Sequence, residues 1–216
     1  MFLLMDIHKP FVITVSRELG SGGRTVGRKL AEALGVRYSD KELIEALQNQ
    51  FNLKTSEIEK FKSKKKNWFD DYVQLVAPMP KASLFLEAKS AYRPMPASEE
   101  LYNAETEILK AIAAEGSCVI AGRLAFYALR DCPNKVDIFI TASFQNRLER
   151  VMRKQNLSEA EAREAIERVD RGRENYVKRF SGLSRYDARN YDLVLNMDQL
   201  QDEDEAVAII LKYIGA

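Results

Sequence analysis

The sequence predicts an α/β protein built on a five-stranded parallel sheet with helices on both faces. Three observations predict it. Short β-branched apolar runs recur along the chain, and stretches of helical periodicity separate them. The first run is followed by a glycine-rich turn and then directly by a helix. The runs are apolar throughout rather than alternating, as in strands buried on both sides.

Phe11-Val12-Ile13-Thr14-Val15 is the first strand. Ser16-Arg17-Glu18-Leu19 ends it, and Gly20-Ser21-Gly22-Gly23-Arg24-Thr25 follows. From Val26 the period becomes helical through Leu30, Ala33 and Leu34, with Gly35 where a left-handed C-cap belongs. Strand, glycine turn and helix form the layout of a phosphate-binding loop. Glycines let backbone N–H groups converge on an anion, and the helix directs its positive end at the same point. On the GxxxxGK[ST] frame, Arg17 takes the first glycine, Gly22 the second and Gly23 the lysine. The lysine is absent; Arg24 and the Thr25 hydroxyl, a candidate Mg²⁺ ligand, stand one residue later. Arg24 is expected to replace the lysine, its planar fork suiting phosphate oxygens. On that reading Arg24→Ala lowers the rate about a hundredfold with little change in stability.

Val36-Arg37-Tyr38 is the second strand candidate, and Asp40 is placed to cap a helix through Leu43, Ile44 and Leu47. Ser56 and Glu59 form a capping box ahead of Lys62, Lys64, Lys65 and Lys66, a run that reads as a solvated helix face. Pro-Met-Pro appears twice, at 78–80 and 94–96, and the period is lost between Trp68 and Pro96. Residues 51–97 read as a mobile, partly helical insert outside the sheet.

Regularity returns at Ser98, where Leu101, Ala104, Ile108, Leu109 and Ile112 share one helical face as far as Gly116. Cys118-Val119-Ile120-Ala121 is the third strand and closes on Gly122-Arg123. Val136 to Thr141 is the fourth, and Ser143 caps a helix carrying Arg147, Arg150, Arg153 and Lys154. Ser158 and Glu161 form a capping box opening a long charged helix. Within it Glu164–Arg168 and Glu167–Arg171 are i,i+4 pairs, and Gly172 stands among Asp170, Arg171, Arg173 and Arg179 as a candidate hinge or close approach. Tyr191 to Leu195 is the fifth strand, and the last helix turns Ala206, Val207, Ile210 and Tyr213 inward. In such a sheet ligands bind at the carboxyl ends of the strands, so the glycine loop, Gly122-Arg123 and the arginine helix are expected around one crevice.

Composition narrows the possibilities. Lys+Arg 33 against Asp+Glu 32 offers nothing global to nucleic acid or an anionic membrane. No apolar run reaches a membrane span and no signal peptide opens the chain, so a cytoplasmic protein is expected. Cys118 and Cys132 lack metal-ligand spacing, and His8, the one histidine, has no partner group near it in sequence. Oligomeric state is left open.

The loop Ser16 to Arg24, the strand end Ala121-Gly122-Arg123, the run Val136 to Ser143 with Arg147 and Arg150, and Tyr191 to Asn196 resemble the cytidylate kinase-like family, a divergent branch of the P-loop nucleoside monophosphate kinases. The resemblance spans nearly the whole chain as one domain, least well over 51–97. It implies a core that binds ATP with Mg²⁺, an acceptor-binding insert at 51–97 and an arginine-rich lid at 158–185. Gly20, Ser21, Gly22, Gly23, Arg24 and Thr25 would cradle the donor phosphates. Asp40, Arg123 and Asp170 would contact the acceptor. Arg24, Arg123, Arg171 and Arg173 would stabilise the transferring charge. The implied reaction is transfer of the ATP γ-phosphate to a nucleoside monophosphate, CMP or dCMP. Two departures stand against it: the loop lysine is missing, and Ala121 and Leu124 flank Gly122-Arg123 where family members carry carboxylates. A binding or regulatory module without catalysis, or a kinase for another small metabolite, are the alternatives.

Overall fold

The computed structural model describes residues 5–40, 99–200 and 202–216. The helix expected after Asp40, the Ser56 capping box, the lysine run and the insert at 51–97 lie outside the described residues.

Five parallel strands form one sheet: β1 (Val12–Arg17), β2 (Arg37–Ser39), β3 (Cys118–Ala121), β4 (Lys135–Thr141) and β5 (Leu193–Asn196), ordered β2-β3-β1-β4-β5. β1 is central, and its core residues Val12 to Val15 are nearly inaccessible. Side chains alternate across it. Ile13 and Val15 face a cluster with Val26, Leu30, Ala206 and Ile210, from α1 (Gly23–Leu34) and the last helix, α6 (Glu203–Ile214). Val12 faces Leu109, Ile112 and Ala125, from α2 (Glu99–Ala114) and the one-turn α3 (Ala125–Ala128). Both faces are therefore covered, as a sheet of continuous apolar strands requires.

The remaining helices, α4 (Phe144–Gln155) and α5 (Glu159–Ser181), pack on each other through Leu148, Val151, Ala162 and Ile166. Three of the expected caps lie among the described residues and are present. Ser143 accepts from the Asn146 amide, Ser158 and Glu161 complete their capping box, and Gly35 closes α1 at φ +63°. Gly172 is buried inside an unbroken α5. Each helix–strand alternation returns the chain to the same edge of the sheet. Strand order reverses at β1, which places the ends of β1 and β3 side by side, with Val15 opposite Ala121.

Candidate active site

The phosphate loop forms where β1 ends. The Glu18 amide still donates to Ile140 O of β4 at 3.2 Å, so the chain leaves the sheet only after Glu18. Buried Ser21 then folds back, its hydroxyl and amide donating to Glu18 O at 3.0 and 3.3 Å. Gly22 begins α1 from a left-handed conformation, φ +88°, and supplies no side-chain cap. Its carbonyl accepts the amides of Thr25 and Val26 at 2.8 and 3.1 Å. The Gly23 amide donates to Ser21 Oγ at 3.5 Å, and the rest of the helix start can meet an anion.

A cleft of about 460 Å³ opens over this loop. Six cations line it (Arg17, Arg24, Arg28, Arg150, Lys154 and Arg173) against two carboxylates, Glu18 and Asp40. That imbalance, beside an open helix start, attracts anions. A smaller chamber of about 60 Å³ adjoins it, with Arg17, Glu105, Gly122, Arg123, Arg173, Tyr176 and Arg185 in its wall. Arg17 and Arg173 line both spaces.

Arg123 enters the small chamber through a left-handed turn. Gly122, Arg123 and Leu124 follow one another at φ +74°, +62° and +57°. For the two non-glycine residues this backbone costs on the order of 1–2 kcal/mol each. Buried Glu105, 3.8 Å from Arg123 and accepting from the Tyr176 hydroxyl, balances part of the charge. Burial lowers the pKa of Arg17, and Asp40 opposes the shift. Burial, then the nearby Arg17 and Arg185, push Arg173 well below the ordinary arginine value. Like charges are thus held together at a desolvated point, which an anionic ligand would relieve.

Asp170 holds the loop to α5. Its carboxylate accepts the Leu19 amide at 3.0 Å and pairs with Arg147 at 2.5 Å, and Arg147 also donates to Leu19 O at 3.2 Å. Arg185 and Arg173 approach the same carboxylate at 3.4 and 3.7 Å. Both arginines also donate to the Arg17 carbonyl, Arg173 at 3.2 Å. Aromatic faces of Phe139 and Tyr186 flank the Arg185 guanidinium.

Of the residues expected in the site, Gly20, Gly22, Gly23, Arg24, Thr25 and Asp40 line the large cleft and Arg123 the small chamber. Ser21 lies buried beneath the loop. Arg24 is turned toward Asp40, its Nε 2.7 Å from the carboxylate. Asp40 is 4% exposed, and neither of its oxygens has a hydrogen bond of good geometry; Arg17 stands 3.8 Å away. Two expectations are corrected. Asp170 is committed to Leu19 and three arginines rather than open to an acceptor. Arg171 is exposed, lines neither space and makes no ion pair among the described residues, because helical spacing turns it away from Asp170 and Arg173. Sequence reasoning did not name Arg185; it held Arg17 as the fallback should Arg24 not carry the charge, and gave Arg147 and Arg150 no role outside the family resemblance.

The donor set fits a Mg²⁺ ion carried on phosphates rather than a metal caged by protein. Thr25 and Asp40 line the cleft, and neither Asp40 oxygen has a hydrogen bond of good geometry. Among the described residues no cluster of three or more His, Cys, Asp or Glu could hold a metal alone. Mg²⁺ ordinarily keeps waters and takes one or two protein ligands beside substrate phosphates. Nor, among the described residues, is any helix long and apolar enough to cross a membrane.

Comparison with known proteins bears on the family and the fold. The sequence profile of the cytidylate kinase-like family matches residues 12–199. A cytidylate kinase of Pyrococcus horikoshii is 28% identical over 193 residues, 89% of this chain and 82% of that protein. An uncharacterized protein of Eubacterium ventriosum superposes with TM-score 0.65 at 24% identity, over 95% of this chain and 99% of that one. A shikimate kinase of Bacteroides thetaiotaomicron covers the same shares with TM-score 0.51 at 15% identity. A gluconokinase of Sinorhizobium meliloti gives TM-score 0.51 at 15% identity, over 95% of this chain and 92% of that one.

Proposed function

The chain belongs to the cytidylate kinase-like family, and from that premise we propose that it is a phosphotransferase moving the γ-phosphate of ATP to CMP or dCMP. One observation carries the reading. The glycine loop opens on a cleft lined by six cations, and two of its arginines, Arg17 and Arg173, also line a second arginine chamber. Two phosphate-bearing ligands meeting at shared arginines is what phosphoryl transfer needs, since positioning and charge stabilisation supply most of its catalysis. Gly20 to Thr25 would hold the donor phosphates, and Arg123, Arg173 and Arg185 the acceptor phosphate. Thr25 and Asp40 would be the protein groups near Mg²⁺, which neutralises phosphate charge when bound. No protein base is needed, because an acceptor phosphate is already a nucleophile.

A second reading rests on Asp40. A buried carboxylate short of hydrogen bonds can orient and deprotonate a hydroxyl, so a small metabolite bearing an alcohol is the competing acceptor class. An assay of ADP release across CMP, dCMP, UMP, AMP and a panel of hydroxylated metabolites decides between them. CMP or dCMP should give the highest kcat/KM. Turnover of hydroxyl acceptors alone would transfer the proposal to the second class. ATP binding by calorimetry without turnover of any acceptor would leave a nucleotide-binding module, and binding of neither ATP nor CMP would overturn all three.

A further inference from the structure

Building on the phosphate-binding reading of the loop, we propose that Arg17 is the catalytic cation that replaces the missing loop lysine. Arg24, the neighbour in sequence, has its Nε against Asp40 at 2.7 Å and a side chain 44% exposed. Arg17 differs on each point. Its side chain is 12% exposed, and the nearest carboxylate, Asp40, is 3.8 Å away. Its carbonyl is held by Arg173 and Arg185, so the backbone that carries it is fixed from α5 and from the segment beyond. The guanidinium then crosses Gly122, where an added Cβ would lie 2.1 Å from Nη1. It borders both the donor cleft and the small chamber.

Arg17 has a backbone held from two sides and Asp40 at 3.8 Å, and it stands among Arg123, Arg173 and Arg185. Their carboxylates are Glu105 and Asp170, so four arginines outnumber the three carboxylates there until an anion arrives. The position of Arg17 between the chambers makes that anion the group in transit. During transfer the bond from the γ-phosphorus to the β,γ-bridging oxygen breaks and its electron pair stays on ADP. A new bond forms from an acceptor phosphate oxygen to the γ-phosphorus. Arg17 exchanges no proton; it stabilises charge on the three equatorial oxygens, as a positively charged clamp does in this chemistry.

Arg17→Met tests this, because it keeps the stem and removes the charge. For binding, the terminal phosphate is the discriminating group. ATP should bind at least tenfold more weakly to Arg17→Met than to the parent, while ADP affinity changes by less than threefold. For rate, kcat should fall at least a hundredfold, more than for Arg24→Met, and Arg17→Lys should recover part of it. The melting temperature should hold or rise, since one of four clustered arginines is neutralised; a merely structural residue would lower it. Equal weakening of ATP and ADP, or a kcat within threefold of the parent, would overturn the assignment. A parent that turns over no acceptor yet shows the ATP-over-ADP effect would reject the transfer reading and keep Arg17 as the terminal-phosphate ligand. Unchanged ATP binding by Arg17→Met, in a protein that does turn over, would reject the Arg17 assignment and leave the transfer reading standing.

Discussion

Gly122 and Gly35 both adopt left-handed backbone, at φ +74° and +63°, but only one has a functional neighbour. A Cβ at Gly35 meets nothing within 4 Å, whereas one at Gly122 would strike the Arg17 guanidinium. Gly35→Ala should therefore cost about 1 kcal/mol of backbone strain, lower the melting temperature by a few degrees and leave kcat unchanged. Gly122→Ala carries the same strain and also displaces Arg17, so its kcat should fall at least tenfold; equal rates for the two variants would refute the contact. Arg24 shows what sequence alone misjudged. Its replacement looked harmless to stability, but it is the close partner of buried Asp40, so Arg24→Ala should cost roughly 1–2 kcal/mol in urea unfolding. Arg123 was legible because it follows a buried strand directly. Arg17 stands at the end of β1, yet the motif frame gave its position to a missing glycine, so it ranked only as a fallback behind Arg24.

At the scale of elements, α5 is tied to the loop by pairs that sequence spacing cannot reveal. Leu19 and Asp170 are 151 residues apart, and Arg147 and Leu19 are 128 apart. The helix itself was legible, since its capping box and charge pattern are local signals. Which of its charges turn inward was not. Asp170 and Arg173 lie three residues apart on the inner face, and Arg171 between them is outside. Asp170→Asn keeps an acceptor for the Leu19 amide but leaves Arg147, Arg173 and Arg185 without their shared counter-charge. Breaking a buried pair of this kind costs about 3–5 kcal/mol, and the denaturation midpoint should fall accordingly. Arg171→Ala, on the exposed side, should change stability by less than about 0.5 kcal/mol. A loss for Asp170→Asn no larger than for Arg171→Ala would show that the network contributes nothing.

For the whole molecule, the strand order explains why distant motifs converge. Parallel connections bring every strand end to one edge, so the glycine loop, Gly122-Arg123 and the arginines of α5 share a crevice although the sequence separates them. Alternation of apolar runs with helical periods made the sheet readable; the join between β1 and α5 depends on tertiary packing and was not. In this structure α5 is already docked, with Arg173 and Arg185 on the Arg17 carbonyl. Apolar contacts of Ala162, Ile166 and Val177 hold it to its neighbours, but its Arg173 stands in the repelling field of Arg17, Arg185 and Arg123. The strands carry no such cluster of like charges, and Ile13, Val119, Val136 and Ile138 are fully buried. The two parts should therefore differ in local stability. Hydrogen exchange of β1, β3 and β4 should be slow with or without nucleotide, whereas exchange of 159–181 should slow at least several-fold when ATP neutralises the arginine cluster. The effect should weaken in high salt, since salt screens the repulsion that loosens the unliganded helix. Equal protection of 159–181 with and without ATP would mean that α5 is a fixed wall of the site, and that its arginines act without closing over the phosphates.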